Sequence, residues 1–349
     1  MTDRVHVTLR DVATAAGVSP ATASRVLNGT ARVRPDLRDR VEAAAAQLAY
    51  TPNAHAQALA RASNETVGVI CHDVSDPYFS GIARGIMRAA AQRDLLVMLA
   101  STFRDSEREV AYVSMLRAQR ARAILLIGSG FEDRRWERAM DAELRPYLNA
   151  GGRVAVVSRH RSLRVDTVLP ENREGAAALA RALLALGHRG FAVLSGPRGL
   201  STVVDRVGGF RDALAAAGVT AAEVVEGPFT REGGHAGATG LLDRGVIGGS
   251  SGSGATCLFA TTDVMAVGAL AALRERGLRV PEDVSLAGFD DIPVVRDLTP
   301  PLTTVALPLE EMGERVIALA LRDGSRARRR IERVAGTVVL RASTTGPPA

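Results

Sequence analysis

Hydrophobic residues recur at helical spacing through the first fifty positions and then, from Glu65 onward, gather into short continuous runs separated by amphipathic stretches. In the first region Leu9, Val12, Ala13 and Ala16 share one face of a helix that Thr8 can cap, with Asp11 as an acid in its first turn. Gly17 permits the left-handed turn that ends it. Ser19 offers an oxygen to the orphan amides of a second helix, and Pro20 has its ring at the first helical position, where no amide donor is needed. On that helix Ala23, Val26 and Leu27 turn inward, which leaves Ala21, Thr22, Arg25 and Asn28 on or near the outer face. A third pattern runs from Pro35 to Leu48, with Val41, Ala44, Ala45 and Leu48 at core spacing. Pro52 breaks it, and Asn53 is placed to cap a further helix of about two turns whose one large apolar side chain is Leu59. A segment this short needs a partner to be ordered. The first two helices, so closely joined, predict a helix-turn-helix, whose small second helix fits a DNA major groove. A plain helical hairpin inside a globular core is the alternative these residues leave open.

Beyond Glu65, strands are predicted at Thr66 to Cys71, Leu95 to Ala100, Ala123 to Ile127, Val154 to Val157, Thr167 to Leu169, Phe191 to Leu194, Cys257 to Ala260 and Val284 to Gly288. Helical patterns lie between them, among them Ile82 to Arg93, Glu107 to Gln119, Arg173 to Leu186, Arg206 to Ala217 and Asp263 to Arg276. Nearly continuous apolar strands alternating with helices imply parallel sheets covered on both faces, here two of them in a bilobed α/β clamshell. Ligands of such sheets bind beyond the carboxyl ends of the strands. Those ends lead into His72 through Phe79, Ser158-Arg159, Ser195-Gly196-Pro197, Thr261-Thr262-Asp263 and Asp290-Asp291. Charged groups, hydroxyls and the aromatics Tyr78 and Phe79 at one rim suit a polyhydroxylated ligand.

The run TLRDVATAAGVSPATASRVLNG and the later YTPNAHAQALA resemble the headpiece and hinge of lactose-repressor-type (LacI/GalR) transcriptional regulators. The likeness continues along the chain. VGVICHDVSDPYFSGIARGI is similar to the family's first strand, ligand loop and first core helix; ALGHRGFAVLSGP, DRVGGFRDAL, LFATTDVMAVGAL, VPEDVSLAGFDDI and LTPPLTTVALPLEEMG match later landmarks in order, and VVLRASTTGPP resembles the last strand. The resemblance implies an all-α helix-turn-helix headpiece at 1–52, a hinge helix and linker at 53–64, and a periplasmic-binding-protein-like core at 65–349. In that core an N-lobe takes about 65–162 and 292–325, and a C-lobe about 163–291 and 326–349. It further implies a homodimeric repressor, bound to double-stranded operator DNA and switched by a small polar effector such as a sugar. Some relatives bind DNA only with a corepressor, so the sign of the response stays open.

Carried over residue by residue, Arg206 matches the arginine that clamps effector, Asp290 matches an effector-binding acid, and Asp76 with Phe79 lies in the ligand loop. His72 and Arg159 follow from strand-end position instead. Thr262 stands where the family commonly has Asn, and Glu171-Asn172 where it has Asp-Asn, which points away from an ordinary hexose. On DNA, the fork of Arg25 suits guanine O6 and N7, and Ala21 a thymine methyl. Thr8, Thr22 and Asn28 are candidate phosphate contacts. Asn53, Ala56 and Leu59 belong to the hinge, with Leu59 as a wedge in the minor groove.

Composition narrows the classes. The 349 residues exceed one ordinary domain. Residues 1–62 hold eight arginines against five acids, a net of +3 and so half of the whole chain's +6, which supports a DNA partner for this segment. There is no lysine, a bias that reflects base composition more than function. Cys71 and Cys257, in separate strands, read as reduced buried thiols. MTDRVHVTLR lacks the apolar core of a secretion signal and no apolar run spans a membrane, so a soluble cytoplasmic protein is expected. A solute-binding protein with the same clamshell would show the reverse: a signal and no headpiece. No Walker loop, metal-ligand cluster or nucleophile elbow points to an enzyme, a metal or a cofactor. Arg326, Arg328, Arg329, Arg330 and Arg333 read as a solvated connection between lobes, and Gly248 to Gly254 as a surface insertion. Dimerisation is expected through Ile82 to Arg93 and Glu107 to Gln119; the final Pro347-Pro348-Ala349 carries no heptad helix for a coiled-coil tetramer.

Overall fold

The computed structural model describes residues 7–28, 33–50, 65–131, 133–161, 163–220, 223–247, 254–322 and 329–348. The chain divides into two units, Met1–Asn64 and Glu65–Ala349. In the first, α1 (Leu9–Ala16), α2 (Pro20–Asn28) and α3 (Pro35–Gln47) enclose Val12, Ala13, Ala16, Ala23, Val26, Val41 and Ala44. Thr8 and Asp11 form a reciprocal capping box: Thr8 Oγ1 accepts from the Asp11 amide at 3.4 Å, and Asp11 Oδ2 accepts from the Thr8 amide at 2.8 Å. Gly17 takes the left-handed conformation, φ +64°. Arg40, reaching from α3, donates to the carbonyls of Ala16 and Gly17 and so satisfies the end of α1. Asn53, Ala56, Leu59 and the hinge expected at 53–64 lie outside the described residues.

The second unit has two parallel sheets. The first contains β1 (Thr66–Cys71), β2 (Leu96–Ser101), β3 (Ala123–Ile127), β4 (Val154–Val157), β5 (Asp166–Pro170) and β11 (Ile331–Val334), in the order β11-β5-β4-β3-β1-β2. Helices α4 (Pro77–Ala91) and α11 (Leu309–Leu321) pack together on one face, α5 (Ser106–Ala118) and α6 (Arg134–Asn149) on the other. The pleat sorts β1 accordingly: Val67, Val69 and Cys71 join the first cluster and Ile70 the second. Gly85 and Gly313 let α4 and α11 meet backbone to backbone, since a Cβ on Gly85 would lie 2.0 Å from the Glu310 carbonyl oxygen. The second sheet runs β7 (Glu223–Glu226), β6 (Phe191–Ser195), β8 (Cys257–Ala260), β9 (Ser285–Ala287), between α7 (Asn172–Ala185) with α8 (Ser201–Ala216) and α9 (Arg231–Asp243) with α10 (Asp263–Glu275). An antiparallel pair, β10 (Thr304–Ala306) and β12 (Thr337–Val339), completes the fold.

The lobes divide elsewhere than at the expected 162/163, 291/292 and 325/326. β5 pairs with β4 and β11 pairs with β5, so both belong to the first lobe's sheet, and the chain crosses after Pro170 and after Val334. Ile292, Val295 and Leu302 still pack in the second lobe, so the return crossing comes after Leu302. Periodicity identifies a strand but not the sheet it joins. Arg333 therefore sits in an edge strand, paired with Glu171, rather than on a free connection; Arg326 and Arg328 fall outside the described residues, as do 248–253. β7 lacked an apolar signature because its residues are largely exposed. Cys71 and Cys257 are free and buried. No helix among the described residues is long and apolar enough to cross a membrane.

Candidate functional site

On α2, Ala21 and Arg25 are exposed one turn apart, as the helical pattern requires. Arg25 makes no hydrogen bond or ion pair among the described residues, whereas the other polar positions already have local partners. The Thr22 amide donates to Ser19 Oγ at 3.1 Å, and the two hydroxyls lie 2.9 Å apart. Asn28 Nδ2 donates to Ser24 Oγ at 3.1 Å, and Thr8 Oγ1 donates to Asp11 Oδ2 at 2.7 Å.

The cleft between the two lobes of the second unit is lined from the carboxyl ends of strands in both sheets. The first lobe contributes His72 after β1, Asp76 and Phe79 at the start of α4, and Arg104 after β2. The second contributes Arg206 from α8, Phe229 after β7, Thr262 at the start of α10 and Asp290 after β9. Six of the seven expected effector residues thus converge. Arg159 does not: its guanidinium bonds Asp205 across the lobes at 2.8 Å, outside the cavity. Tyr78, expected at the rim beside Phe79, also lines the cavity, whereas Arg104, Ser129, Thr202 and Phe229 were not among the expected contacts. Arg104 could have been found by extending the strand-end rule to β2, whereas nothing in the sequence marked the strand before Phe229.

Arg206 is the best-held group in the cleft. Nε donates to Asn172 Oδ1 at 2.9 Å, Nη1 to the Thr261 carbonyl at 2.7 Å and Nη2 to Asp290 Oδ1 at 2.7 Å, while Cζ lies 3.9 Å above the Phe289 ring. Both members of the Arg206–Asp290 pair are almost wholly buried. Burial pushes the Asp290 carboxyl up to about 7 against the pull of Arg206, and the nearby Asp263 and Asp76 add to the rise. Three of the five guanidinium N–H groups are engaged, so two remain for a ligand. Thr262 caps α10 through its hydroxyl, accepting from the Met265 amide at 3.4 Å. Asp291 faces away, bound to Arg296 and Arg341. Asp263 is structural: it accepts from the Ile292 amide and the Thr304 hydroxyl, tying α10 to the chain that returns to the first lobe.

His72 is packed against Phe79, Phe131 and the backbone of Gly128, and burial holds it down at about 3, so its ring is neutral. Its Nε2 has no hydrogen-bond partner among the described residues. Asp76 caps α4 with Oδ1, which accepts from the Tyr78 amide at 3.0 Å, and burial raises its carboxyl. The lobes stand close. Ser129 Oγ donates to Thr202 Oγ1 at 2.6 Å, and Arg104 lies 5.4 Å from the Phe229 ring centre. The cavity of about 30 Å³ has room for water but not for a sugar, so the lobes or their lining side chains must part to admit one. Among the described residues no group of His, Cys, Asp or Glu is arranged to hold a metal ion.

Sequence comparison decides between a shared clamshell and a shared lineage. The chain is 36% identical over 317 residues to the HTH-type transcriptional regulator GalS of Salmonella typhimurium, covering 90% of this chain and 89% of that one. It belongs to the LacI family. A sequence model of bacterial regulatory proteins of that family matches residues 8–53, and one of the periplasmic binding protein-like domain matches 180–344. A lac repressor dimer bound to operator and the anti-inducer ONPF superposes with a TM-score of 0.80 at 28% identity, covering 97% of this chain and 99% of that one. A complex of the regulator CelR with cellobiose gives 0.68 at 30% identity with the same coverage. Members of this family are transcription regulators, not enzymes.

Proposed function

We propose that this LacI-family protein is a ligand-responsive repressor that binds a near-palindromic operator as a homodimer and is switched by a small polar effector, such as a sugar, in the interlobe cleft. The observation that carries the effector half is the convergence of His72, Asp76, Phe79, Arg206, Thr262 and Asp290 from both lobes on one cavity. A ligand held by both lobes changes their separation, and through the first lobe the spacing of two headpieces in a dimer. Exposed Met87 on α4, Leu96 and Met98 on the edge strand β2, and Met115 on α5 support dimerisation through these elements.

In the DNA half, exposed Arg25 reads guanine and Ala21 meets a thymine methyl, with Thr8, Thr22 and Asn28 at phosphates. Leu59, with Asn53 and Ala56 on the same hinge, opens a base step in the minor groove. Selection of genomic fragments by the full-length protein, followed by operator titration with and without candidate sugars, tests the whole reading. Specific binding that a sugar alters by tenfold or more is expected, with the direction separating inducer from corepressor. No sequence preference in the selected fragments would overturn the DNA half, and no response to any ligand the effector half.

A further inference from the structure

Two buried nitrogens in the cleft have no hydrogen-bond partner among the described residues, His72 Nε2 and Arg104 Nε. Both belong to the first lobe and both line the cavity. Their loops are joined: the Thr102 amide donates to the Cys71 carbonyl at 2.9 Å, and the Phe103 amide to the His72 carbonyl at 2.6 Å. Phe103 and Arg104 hold the left-handed conformation, φ +54° and +60°, which non-glycine residues adopt only where the surroundings impose it. This strained turn fixes the half-buried Arg104 at the cavity wall, 5.4 Å from the Phe229 ring of the opposite lobe.

The two cleft arginines differ in their counter-charges. Arg206 is neutralised by Asp290 at 2.7 Å. Arg104 forms no hydrogen bond or ion pair among the described residues; Asp76 and Asp73 lend it their field without contact, and burial lowers its pKa, as for a cation short of counter-charge. Asp76 is committed by one oxygen to the first turn of α4. A sugar hydroxyl would give Arg104 Nε a hydrogen bond but leave the guanidinium charge uncompensated. A carboxylate or phosphate supplies the charge and matches the guanidinium fork, with His72 Nε2 free for a neighbouring oxygen.

We infer that the effector is an anionic sugar derivative, a sugar acid or a sugar phosphate, whose negative group is bound by Arg104. This rests on the reading of the cleft as the effector site and names the ligand class it takes. The test is calorimetric titration of the full-length protein with matched sets of probes: neutral aldoses, the corresponding uronates and the corresponding sugar 6-phosphates. Anionic members are expected to bind at least about tenfold more tightly than their neutral counterparts. Arg104→Gln should erase that preference, with its ligand-free melting temperature checked to show that it folds, and Arg104→Lys should restore part of it. Preference for uronates over phosphates, or the reverse, identifies the anion within the proposal. Neutral sugars binding as tightly as charged ones, or Arg104→Gln leaving the preference intact, overturns the inference while sparing the effector site. Absence of binding by every probe overturns the effector reading and the inference with it.

Discussion

The headpiece and the cleft solve recognition in opposite ways. Among the described residues of the headpiece no polar or charged side chain is buried; its interior is alanine and valine, and Arg25 stands in solvent with no partner to lose. The cleft buries Arg206, Asp290, Asp263 and His72, and places each among groups brought from distant segments. A DNA-binding surface meets a ligand already covered in charge, so exposed groups suffice. A small-molecule site must strip its ligand of water, which requires buried polar groups held in advance. Stability and recognition are therefore separable in the headpiece and entangled in the cleft.

Changes at the Arg206–Asp290 pair should give the largest effect. Arg206→Met leaves Asp290 buried without a counter-charge and is expected to destabilise the core by about 3–5 kcal/mol in urea unfolding. The loss should grow between pH 6 and 8, because protonated Asp290 needs no counter-charge and ionised Asp290 does. A cost below about 1 kcal/mol at pH 8 would mean that the pair is not what holds the cleft.

Glu109 sharpens the contrast from inside the core. It is buried on α5 with its carboxyl Oε2 accepting from Trp136 Nε1 at 2.8 Å, and burial raises it from 4.5 to about 7. The native state thus keeps a proton that the unfolded chain gives up. Stability from this group is greatest below about pH 4.5 and is lost as pH rises through 7. Glu109→Gln removes the ionisation while keeping an acceptor, so its advantage over the parent should widen from pH 4.5 to 7, by up to about 3 kcal/mol. The protein's one tryptophan, Trp136, reports the transition directly. An unchanged pH profile would show that Glu109 is hydrated rather than buried.

In the headpiece the same logic predicts separation. Arg25→Ala should leave melting within about 0.5 kcal/mol of the parent. It should relax base preference at one symmetric pair of operator positions by about 1–3 kcal/mol. Uniform weakening on all sequences would make Arg25 a phosphate contact. Smallest of all, Gly17→Ala forces a Cβ into a left-handed residue and to 2.6 Å from the Arg40 guanidinium. It should cost the headpiece about 1 kcal/mol, seen as a shift in helical circular dichroism without movement of the Trp136 transition.

Local signals account for what was legible. Thr8, Asp11, Gly17, Ser19 and Pro20 act within a few residues of themselves, so their spacing predicts the helices they bound. Arg40, which completes the end of α1 from 23 and 24 residues away, left no such mark. In the core, the strand-end rule and family motifs pointed to His72, Asp76, Phe79, Arg206, Thr262 and Asp290, which line one cavity. The rule failed at Arg159, where the residue after a strand end turns to Asp205 of the other lobe instead of the cavity. It also passed over Arg104 and Phe229.

The sequence by itself determined that three helices, the first two of them capped, precede an α/β core, and which faces of those elements are apolar, because caps and periodicity are properties of neighbours along the chain. Only the tertiary structure decided that β5 and β11 belong to the first sheet, that Asn172, Thr261, Asp290 and Phe289 converge on Arg206, and that Arg104 has no ion-pair partner among the described residues. The reason is that charge compensation in a buried cleft depends on distances between segments far apart in the chain, here 84 residues for Arg206 and Asp290, and no local pattern encodes them.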